Sequence, residues 1–554
     1  MTTDEDSSAR FLPRIREELD NLPLTAVEKD DVAPRLLKNA VFIDTAGHTT
    51  SGNLKSGSAL FDFAGKIAGV VDRFHDDGLT QEDYVRAVLK QPQLFYRSPE
   101  TIAGNIDGVV ERFAADGLTR AGYLQAALKG PTLFGMKAET IAGNIDGTVQ
   151  RFDADGLTRA DYLEAALQQP SLFSQKPETI ALNIGGVAER LAADGLTRAG
   201  YLHAALKAPT LFVMKPETVV GNVGGVVERF AADGMTPTAF LKAALKQPSL
   251  FVMKPETMAS NIDGVAERFA ADGLTRKDYL KVALKQPQLF YQSPETIAAN
   301  INGAVERFAS DGLTRRDYLK AALKQPQLFY GSPETIAANV DGVVEQFTSD
   351  GLTRRDYLKA ALKAPSLFYQ SPETIASNID GVAERFAADG LTRRDYLKAA
   401  LKQPQLFYQS PETIARHIDI VIGFAEKGVF NPPKLSRSST PALSAAGRAS
   451  PRAAVVSFLM SRPDLLALAD DNFGLREIHQ RLTDGPTDGR LMRTPRFAVE
   501  RDLMEHLGHD DPQQPVAASG FAGGSEMPTR EQAERYLLRA LMHEGLIRGG
   551  TLQR

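Results

Sequence analysis

Apolar residues between positions 78 and 428 follow the spacing of two short amphipathic helices, and the pair recurs every 39 residues. We number the nine copies as repeats 1 to 9, each starting at a glycine, so that repeat 7 covers residues 312–350. In repeat 7, Tyr318 and Leu319 open an apolar stripe with helical spacing. From Ile336 to Phe347, apolar residues recur at intervals of three and four. This pattern predicts a first and a second helix in every copy.

Polar residues and prolines mark the ends of these helices in repeat 7. Thr314 is a suitable N-cap for the first helix, and Asp317, three residues later, completes a capping box. Pro326 cannot continue that helix, which we therefore expect to end near Lys324. Ser332 precedes a Pro-Glu pair and predicts the start of the second helix.

The segment between the two helices carries the most regular signal. Leu328 and Phe329 predict a short turn or a single 3₁₀ turn anchored by two apolar side chains, and Gly351 predicts the cap that ends the second helix. A proline followed two residues later by Leu-Phe occurs nine times at intervals of 39 residues: Pro92, Pro131, Pro170, Pro209, Pro248, Pro287, Pro326, Pro365 and Pro404. No alternating β pattern is visible.

The predicted fold is therefore all-α, a right-handed or curved α-solenoid of nine 39-residue helix-turn-helix repeats with a small helical C-terminal region. We expect an N-terminal helical cap and loop over residues 1–64, with the loop at 43–58, and the repeat array over 65–430. Residues 431–452, rich in Ser, Pro and Ala, predict a flexible linker, and 453–554 the small C-terminal region.

Composition excludes several classes of protein. There are 64 Lys and Arg against 69 Asp and Glu, so near-neutral bulk charge speaks against coating nucleic acid by net charge alone. The absence of cysteine excludes disulfides, thiol catalysis and cysteine-based metal sites. We expect no membrane span and, from the acidic N-terminus, no cleavable secretory signal. The predicted location is cytoplasmic, or inside a host cell after export without a cleavable signal.

Positive and negative charges are concentrated on different helices of the repeat. In repeat 7 the first helix has a balance of +3 and the segment 332–350 a balance of −4. Arg316, Lys320 and Lys324 lie four residues apart, on one helix face. We call the equivalent residues of repeats 6 to 9 the basic stripe: Lys277, Lys281, Lys285, Arg316, Lys320, Lys324, Arg355, Lys359, Lys363, Arg394, Lys398 and Lys402. The stripe predicts contact with a polyphosphate backbone, or a solvated face that pairs with the acidic helix of the adjacent copy.

One asparagine recurs inside the second helix, where its amide needs hydrogen-bond partners. The Asn series consists of Asn105, Asn144, Asn183, Asn222, Asn261, Asn300, Asn339 and Asn378, and His417 takes its place in repeat 9. We interpret it as an amide ladder between repeats, with contact to a ligand in the groove as the alternative.

Two further groups are weaker candidates for chemistry. Tyrosines follow Leu-Phe in five repeats, at Tyr96, Tyr291, Tyr330, Tyr369 and Tyr408. They could stack on bases or grip a peptide, or reflect drift at a tolerant surface turn. His506 and His509 lack the spacing of a helical zinc motif and a third ligand. Without a phosphate-binding loop, dinucleotide fingerprint or nucleophile elbow, we predict no metal, no cofactor and no enzymatic activity.

The repeat resembles those of the mitochondrial transcription termination factor family. The likeness rests on a helix, a Pro-x-Leu-hydrophobic turn, a Ser-Pro-Glu start and a second helix ending in glycine, as in residues 351–386, and covers about 65–428. It implies a curved α-solenoid whose positive inner surface binds nucleic acid. This array differs from that family by its rigid period and near-identical copies, and from the acidic N-terminus we expect no organellar targeting sequence.

A shorter segment, residues 376–381, resembles the base-reading loop of transcription-activator-like effectors. In those proteins a variable dipeptide in the loop encodes the DNA sequence. Here the dipeptide is nearly constant and lies inside a predicted helix, so we transfer no base-reading role.

From the sequence we predict a non-enzymatic α-solenoid that contacts DNA or RNA through the basic stripe. The alternative is a protein-interaction scaffold that binds an acidic protein surface, and such a scaffold could be a bacterial effector delivered to a host cell. The third hypothesis is an enzyme whose activity resides in residues 453–554. The sequence leaves the oligomeric state open.

Overall fold

The computed structural model describes residues 3–50, 61–426, 450–463 and 466, and within these ranges it contains helices and no strands. The predicted all-α repeat fold is confirmed. Each repeat has a first helix, a 3₁₀ turn and a second helix, and in repeats 1 to 8 a further 3₁₀ turn follows the second helix.

The first helices are Gln81–Lys90, Arg120–Lys129, Arg159–Gln168, Arg198–Lys207, Pro237–Lys246, Arg276–Lys285, Arg315–Lys324, Arg354–Lys363 and Arg393–Lys402. The second helices are Pro99–Phe113, Ala138–Phe152, Pro177–Arg190, Pro216–Phe230, Pro255–Arg268, Pro294–Arg307, Pro333–Phe347, Pro372–Arg385 and Pro411–Glu426. The 3₁₀ turns between them, which we call the Leu-Phe turns, are Pro92–Tyr96, Pro131–Gly135, Pro170–Phe173, Pro209–Phe212, Pro248–Phe251, Pro287–Phe290, Pro326–Phe329, Pro365–Phe368 and Pro404–Phe407.

The helix ends in repeat 7 follow from the capping residues. The backbone N–H of Asp317 donates to the Thr314 hydroxyl at 3.1 Å, and that hydroxyl donates to the Asp317 carboxylate at 2.6 Å. The reciprocal bond thus runs through the hydroxyl rather than the backbone N–H of Thr314 that a capping box uses. The first helix ends at Lys324 and Ser332 caps the second, as predicted.

A glycine with positive φ separates consecutive repeats. The second helix of repeat 7 ends at Phe347, and one 3₁₀ turn, Thr348–Asp350, precedes Gly351. Gly351 has φ +90°, and the glycines that open the other repeats have φ between +84° and +94°. A side chain would be strained in this left-handed conformation, so glycine is required at each junction.

Contacts divide the chain into two compact units. The first unit comprises Met1–Asp263 and Ala283–Tyr291, and the second comprises Gly264–Val282 and Gln292–Arg554. Within each unit, the second helices of adjacent repeats pack on each other, and each second helix also contacts the first helix that follows it.

The Leu-Phe turn connects each repeat to the preceding one. In the second unit, the ring of Phe368 meets that of Tyr318 edge to face, with centroids 6.0 Å apart. The Tyr318 hydroxyl donates to the carbonyl of Leu328 in its own repeat at 3.1 Å. Burial raises the pKa of Tyr318 far above its usual range. Tyr318 is therefore a core residue with a satisfied hydroxyl.

A second glycine sets the separation of adjacent second helices. A Cβ on Gly342 would stand 2.5 Å from Cγ of Pro372 in the next repeat, so the proline ring occupies the place of a side chain. We call these residues the interhelix glycines: Gly69, Gly108, Gly147, Gly186, Gly225, Gly264, Gly303, Gly342 and Gly381. In repeat 9 the sequence has Ile420 at this place, and no further second helix follows within the described residues.

Among the described residues before repeat 1 there are three α-helices, Thr3–Asp20, Ala26–Thr50 and Phe63–Phe74. The last has the buried face of a second helix, and Tyr96 of repeat 1 donates a hydrogen bond to the carbonyl of Leu36 at 2.8 Å. The predicted loop at residues 43–58 was wrong for residues 43–50, because these residues belong to the helix Ala26–Thr50. Thr, Gly and His cost a helix only a fraction to about 1 kcal/mol each, so their presence does not end it.

The helix Pro451–Ser461 completes the other end of the array as half of a tenth repeat. Arg452 pairs with Asp389 at 3.5 Å and Asp419 at 3.8 Å, as Arg393 does with the equivalent carboxylates one repeat earlier. The Nδ1–H of His417 donates to the carbonyl of Leu466 at 2.8 Å, in the place of the Asn series. This helix starts two residues before the boundary that we predicted at 453.

The other calls on the C-terminal part, namely the linker up to residue 449, the bulk of the small region, and His506 and His509, lie outside the described residues. Among the helices that are described, none combines the length and apolarity that a membrane crossing requires.

Candidate nucleic-acid interface

All twelve side chains of the basic stripe are solvent-exposed. Lys277 and Lys281 belong to the second unit with repeats 7 to 9, whereas Lys285 belongs to the first. We therefore describe the geometry of the stripe for repeats 7 to 9, whose three first helices lie in one unit. Each of these helices presents an arginine and two lysines on one face.

The arginine that precedes the stripe in each of these helices has a different environment. Arg315 pairs with Asp272 at 3.1 Å, and Arg354 pairs with Asp341 at 2.8 Å and with Asp311 at 3.5 Å. The equivalent residue in repeat 9 is Arg393. We call Arg315, Arg354 and Arg393 the pairing arginines. They join the first helix to acidic groups of preceding repeats.

The stripe residues of repeats 7 to 9 are largely unpaired. Within the described part of the chain, only Lys320 and Lys359 lie within 4 Å of a carboxylate, at 3.9 Å from Asp317 and 3.8 Å from Asp356. Both contacts are exposed and contribute little. The guanidinium of Arg316 lies beside Gly273, with nitrogen atoms 3.7 Å from the position that a Cβ of residue 273 would occupy. Because residue 273 is glycine, it has no side chain to cover this guanidinium.

Arginines of the second helices pair with the acidic groups of the next repeat. Arg307 reaches Asp341 at 3.0 Å, and Arg385 reaches Asp419 at 2.7 Å. Where glycine replaces that aspartate, the arginine pairs instead with the glutamate at the start of the same next helix, as Arg190 does with Glu217 at 2.6 Å. These acidic groups therefore contact the pairing and second-helix arginines rather than the stripe.

Asp146 shows the effect of this pairing on ionisation. It accepts hydrogen bonds from Arg112 at 2.7 Å and from Arg159 at 2.8 Å. Partial burial acts to raise the pKa of Asp146, but the hydrogen bonds and charges of the two arginines outweigh burial and hold it below its ordinary value. The stabilisation is present above the pKa of the unfolded chain and is lost as the pH falls through the lower folded value.

The Asn series connects repeats through hydrogen bonds to backbone. In seven members the amide nitrogen donates to the carbonyl of the Leu-Phe turn phenylalanine in the next repeat, at 2.8–3.5 Å: Asn105, Asn144, Asn183, Asn222, Asn261, Asn339 and Asn378. Asn300, although described, makes no such bond. The amide nitrogens that donate are thus engaged within the protein.

Replacing Asn183 by alanine is expected to lower the free energy of unfolding by about 1–2 kcal/mol, because the buried carbonyl of Phe212 loses its donor at 2.9 Å. Asn300→Ala is the matched control and should cost less. Equilibrium denaturation of both variants provides the comparison. Equal losses would show that the hydrogen bond is not the source of the effect.

The tyrosines that follow the Leu-Phe turns contact the protein itself. Tyr96 bonds to the N-terminal helices, Tyr291 hydrogen-bonds with Ser249, and the hydroxyl of Tyr369 lies against Gly331. Tyr408 is 37% exposed. Stacking on bases therefore has little support at Tyr96, Tyr291 and Tyr369.

The described residues contain no group of three or more His, Asp or Glu side chains placed to hold a metal ion. No protein-family model matches the chain, and no curated protein is significantly similar to it.

Proposed function

We propose that this chain is a non-enzymatic α-solenoid that binds the phosphate backbone of DNA or RNA through the basic stripe of repeats 6 to 9. The proposal rests on one observation, the division of cations in repeats 7 to 9. The pairing arginines are used by the fold, while adjacent residues such as Arg316, Arg355 and Arg394 are exposed and have no ion pair within 4 Å among the residues that the structure describes.

Lysine and arginine side chains contact phosphates without reading sequence, and they release counterions when they do so. Most amide nitrogens of the Asn series donate to backbone carbonyls, which favours backbone contact over base readout. The resemblance of the repeats to the mitochondrial transcription termination factor family points to the same class of ligand. An acidic protein surface would meet the same cations, and binding to nucleic acid distinguishes the two.

Full-length protein should bind labelled single-stranded and duplex DNA and RNA in a salt series. Replacing Arg316, Arg355 and Arg394 together by glutamine should reduce the slope of log affinity against log salt by about 2–2.7, at ~0.7–0.9 per lost phosphate contact. These side chains are exposed, so the melting temperature should change little.

The matched control is glutamine at Arg315, Arg354 and Arg393, the preceding residues in the same helices. It removes the same charge, and we expect it to lower the melting temperature while leaving the slope nearly unchanged. Equal slope losses in both variants would indicate a response to bulk charge. A parent protein that binds none of the nucleic acids at low salt would contradict the proposal and favour the scaffold.

A further inference from the structure

The residue that precedes each second helix differs between two groups of repeats. Repeats 1 and 6 to 9 have serine there, at Ser98, Ser293, Ser332, Ser371 and Ser410, and each hydroxyl accepts a backbone N–H at 3.1–3.3 Å. Repeats 2 to 5 have lysine instead. We call these four residues the lysine row: Lys137, Lys176, Lys215 and Lys254.

The backbone does not require lysine at this place. Lys137 has φ −67° and ψ 140°, and Ser332 has φ −68° and ψ 140°, so the two residues occupy the same conformation. The lysines of repeats 2 to 4 provide no side-chain cap. They also place a positive charge at the positive end of the helix dipole. Serine at this position would stabilise each of the nine second helices by capping it. Four consecutive repeats nevertheless have lysine there.

The side chains of the lysine row are available to a ligand. All four are exposed, and none has a carboxylate within 4 Å among the residues that the structure describes. The row lies entirely in the first unit. It is thus a series of exposed cations, one per repeat, without a salt bridge to any described carboxylate, although the charges of Lys176 and Lys215 help to lower the pKa of Glu178 and Glu217.

The lysine row and the complete basic stripe never occur in the same repeat. In repeats 2 to 5, the residues equivalent to Arg316 are Ala121, Ala160, Ala199 and Thr238. The Leu-Phe turn joins the end of the first helix to the start of the second. Lys324, the last stripe residue of repeat 7, and the capping residue Ser332 therefore flank the Leu-Phe turn of their repeat. Every repeat from 2 to 9 has an exposed cation beside its Leu-Phe turn, either at the end of the first helix or directly before the second.

We propose that the lysine row is a second phosphate-contacting surface, which binds the backbone of nucleic acid along repeats 2 to 5. This inference rests on the proposed function for its ligand, but on different residues in the other unit. Local stability is lower at these helix starts than serine would provide, and the compensating gain is ligand contact.

The test replaces all four lysines of the row by serine in the full-length chain. Restored caps should raise the melting temperature by roughly a few °C, while the slope of log affinity against log salt falls by about 3. Glutamine at the same four positions is the control, because it removes the charges without adding a cap. It should cause the same slope loss with no rise in melting temperature.

If the serine variant has the same slope of log affinity against log salt as the parent, the proposal that the lysine row binds phosphate is wrong. This holds even if the stripe variant loses binding as proposed. Loss of slope in the row variants alone supports the row and contradicts the stripe. A parent that binds anionic phosphatidylserine vesicles but neither DNA nor RNA overturns both, since the ligand would then be a membrane surface.

Discussion

Replacing Phe329 by alanine is expected to lower the free energy of unfolding by about 3–5 kcal/mol. Phe329 is fully buried, and its ring meets that of Tyr279 in the preceding repeat edge to face, with centroids 5.2 Å apart. The substitution removes this contact and leaves a cavity at the junction between two repeats. Because the lost contact joins two consecutive repeats of the second unit, the loss should appear as a lower denaturation midpoint of that unit.

Denaturant unfolding followed by circular dichroism gives the measurement, and Gln327→Ala is the control. Gln327 lies in the same turn but is exposed, so its loss should stay within about 0.5 kcal/mol. If Phe329→Ala unfolded at the midpoint of the parent, the Leu-Phe turn could not be a packed connection between repeats.

Two adjacent glycines should respond to alanine in opposite directions. A Cβ on Gly225 would lie 2.8 Å from Cγ of Pro255, which no real Cβ contact tolerates, so Gly225→Ala should destabilise the first unit by about 1–3 kcal/mol. Gly224 has open space around it in the same helix, and alanine there should stabilise by about 0.5–1 kcal/mol. The two variants are compared by their thermal and denaturant midpoints.

The pair is informative because both substitutions add one methyl group to one helix. Stabilisation by both would mean that the second helices are farther apart than described. Destabilisation by both would mean that the face bearing Gly224 is covered.

The helices of a repeat were predictable because local chemistry determines them. The cap at Thr314, the end at Lys324 and the turn at Pro326 depend on residues a few positions apart. The role of the interhelix glycines was not visible in one copy, since the atom that excludes a side chain belongs to a proline of the next repeat. The tenth half-repeat was missed because about 20 extra residues precede Pro463 and break the period.

The candidate interface was predictable only in part. Helical spacing placed Arg316, Lys320 and Lys324 on one face, and their exposure agrees with this. The sequence could not separate Arg315 from Arg316, because the carboxylate that distinguishes them, Asp272, lies 43 residues away. The lysine row could have been identified from the sequence, because in four repeats lysine replaces the serine that precedes a Pro-Glu or Ala-Glu pair.

The connections between repeats have a consequence for how such an array can change in length. Tyr–Phe contacts, Asn hydrogen bonds and Gly–Pro packing join the same residue types at most junctions. Two copies that are not consecutive in the chain could therefore make most of the same contacts. Recombination that removed residues 312–350 would join Asp311 to Gly351; Arg354 would then meet Asp272 in place of Asp311, and Asn302 in place of Asp341. Misaligned exchange between copies can therefore shorten or lengthen the array in whole repeats, and each step within repeats 6 to 9 would add or remove one set of three exposed cations.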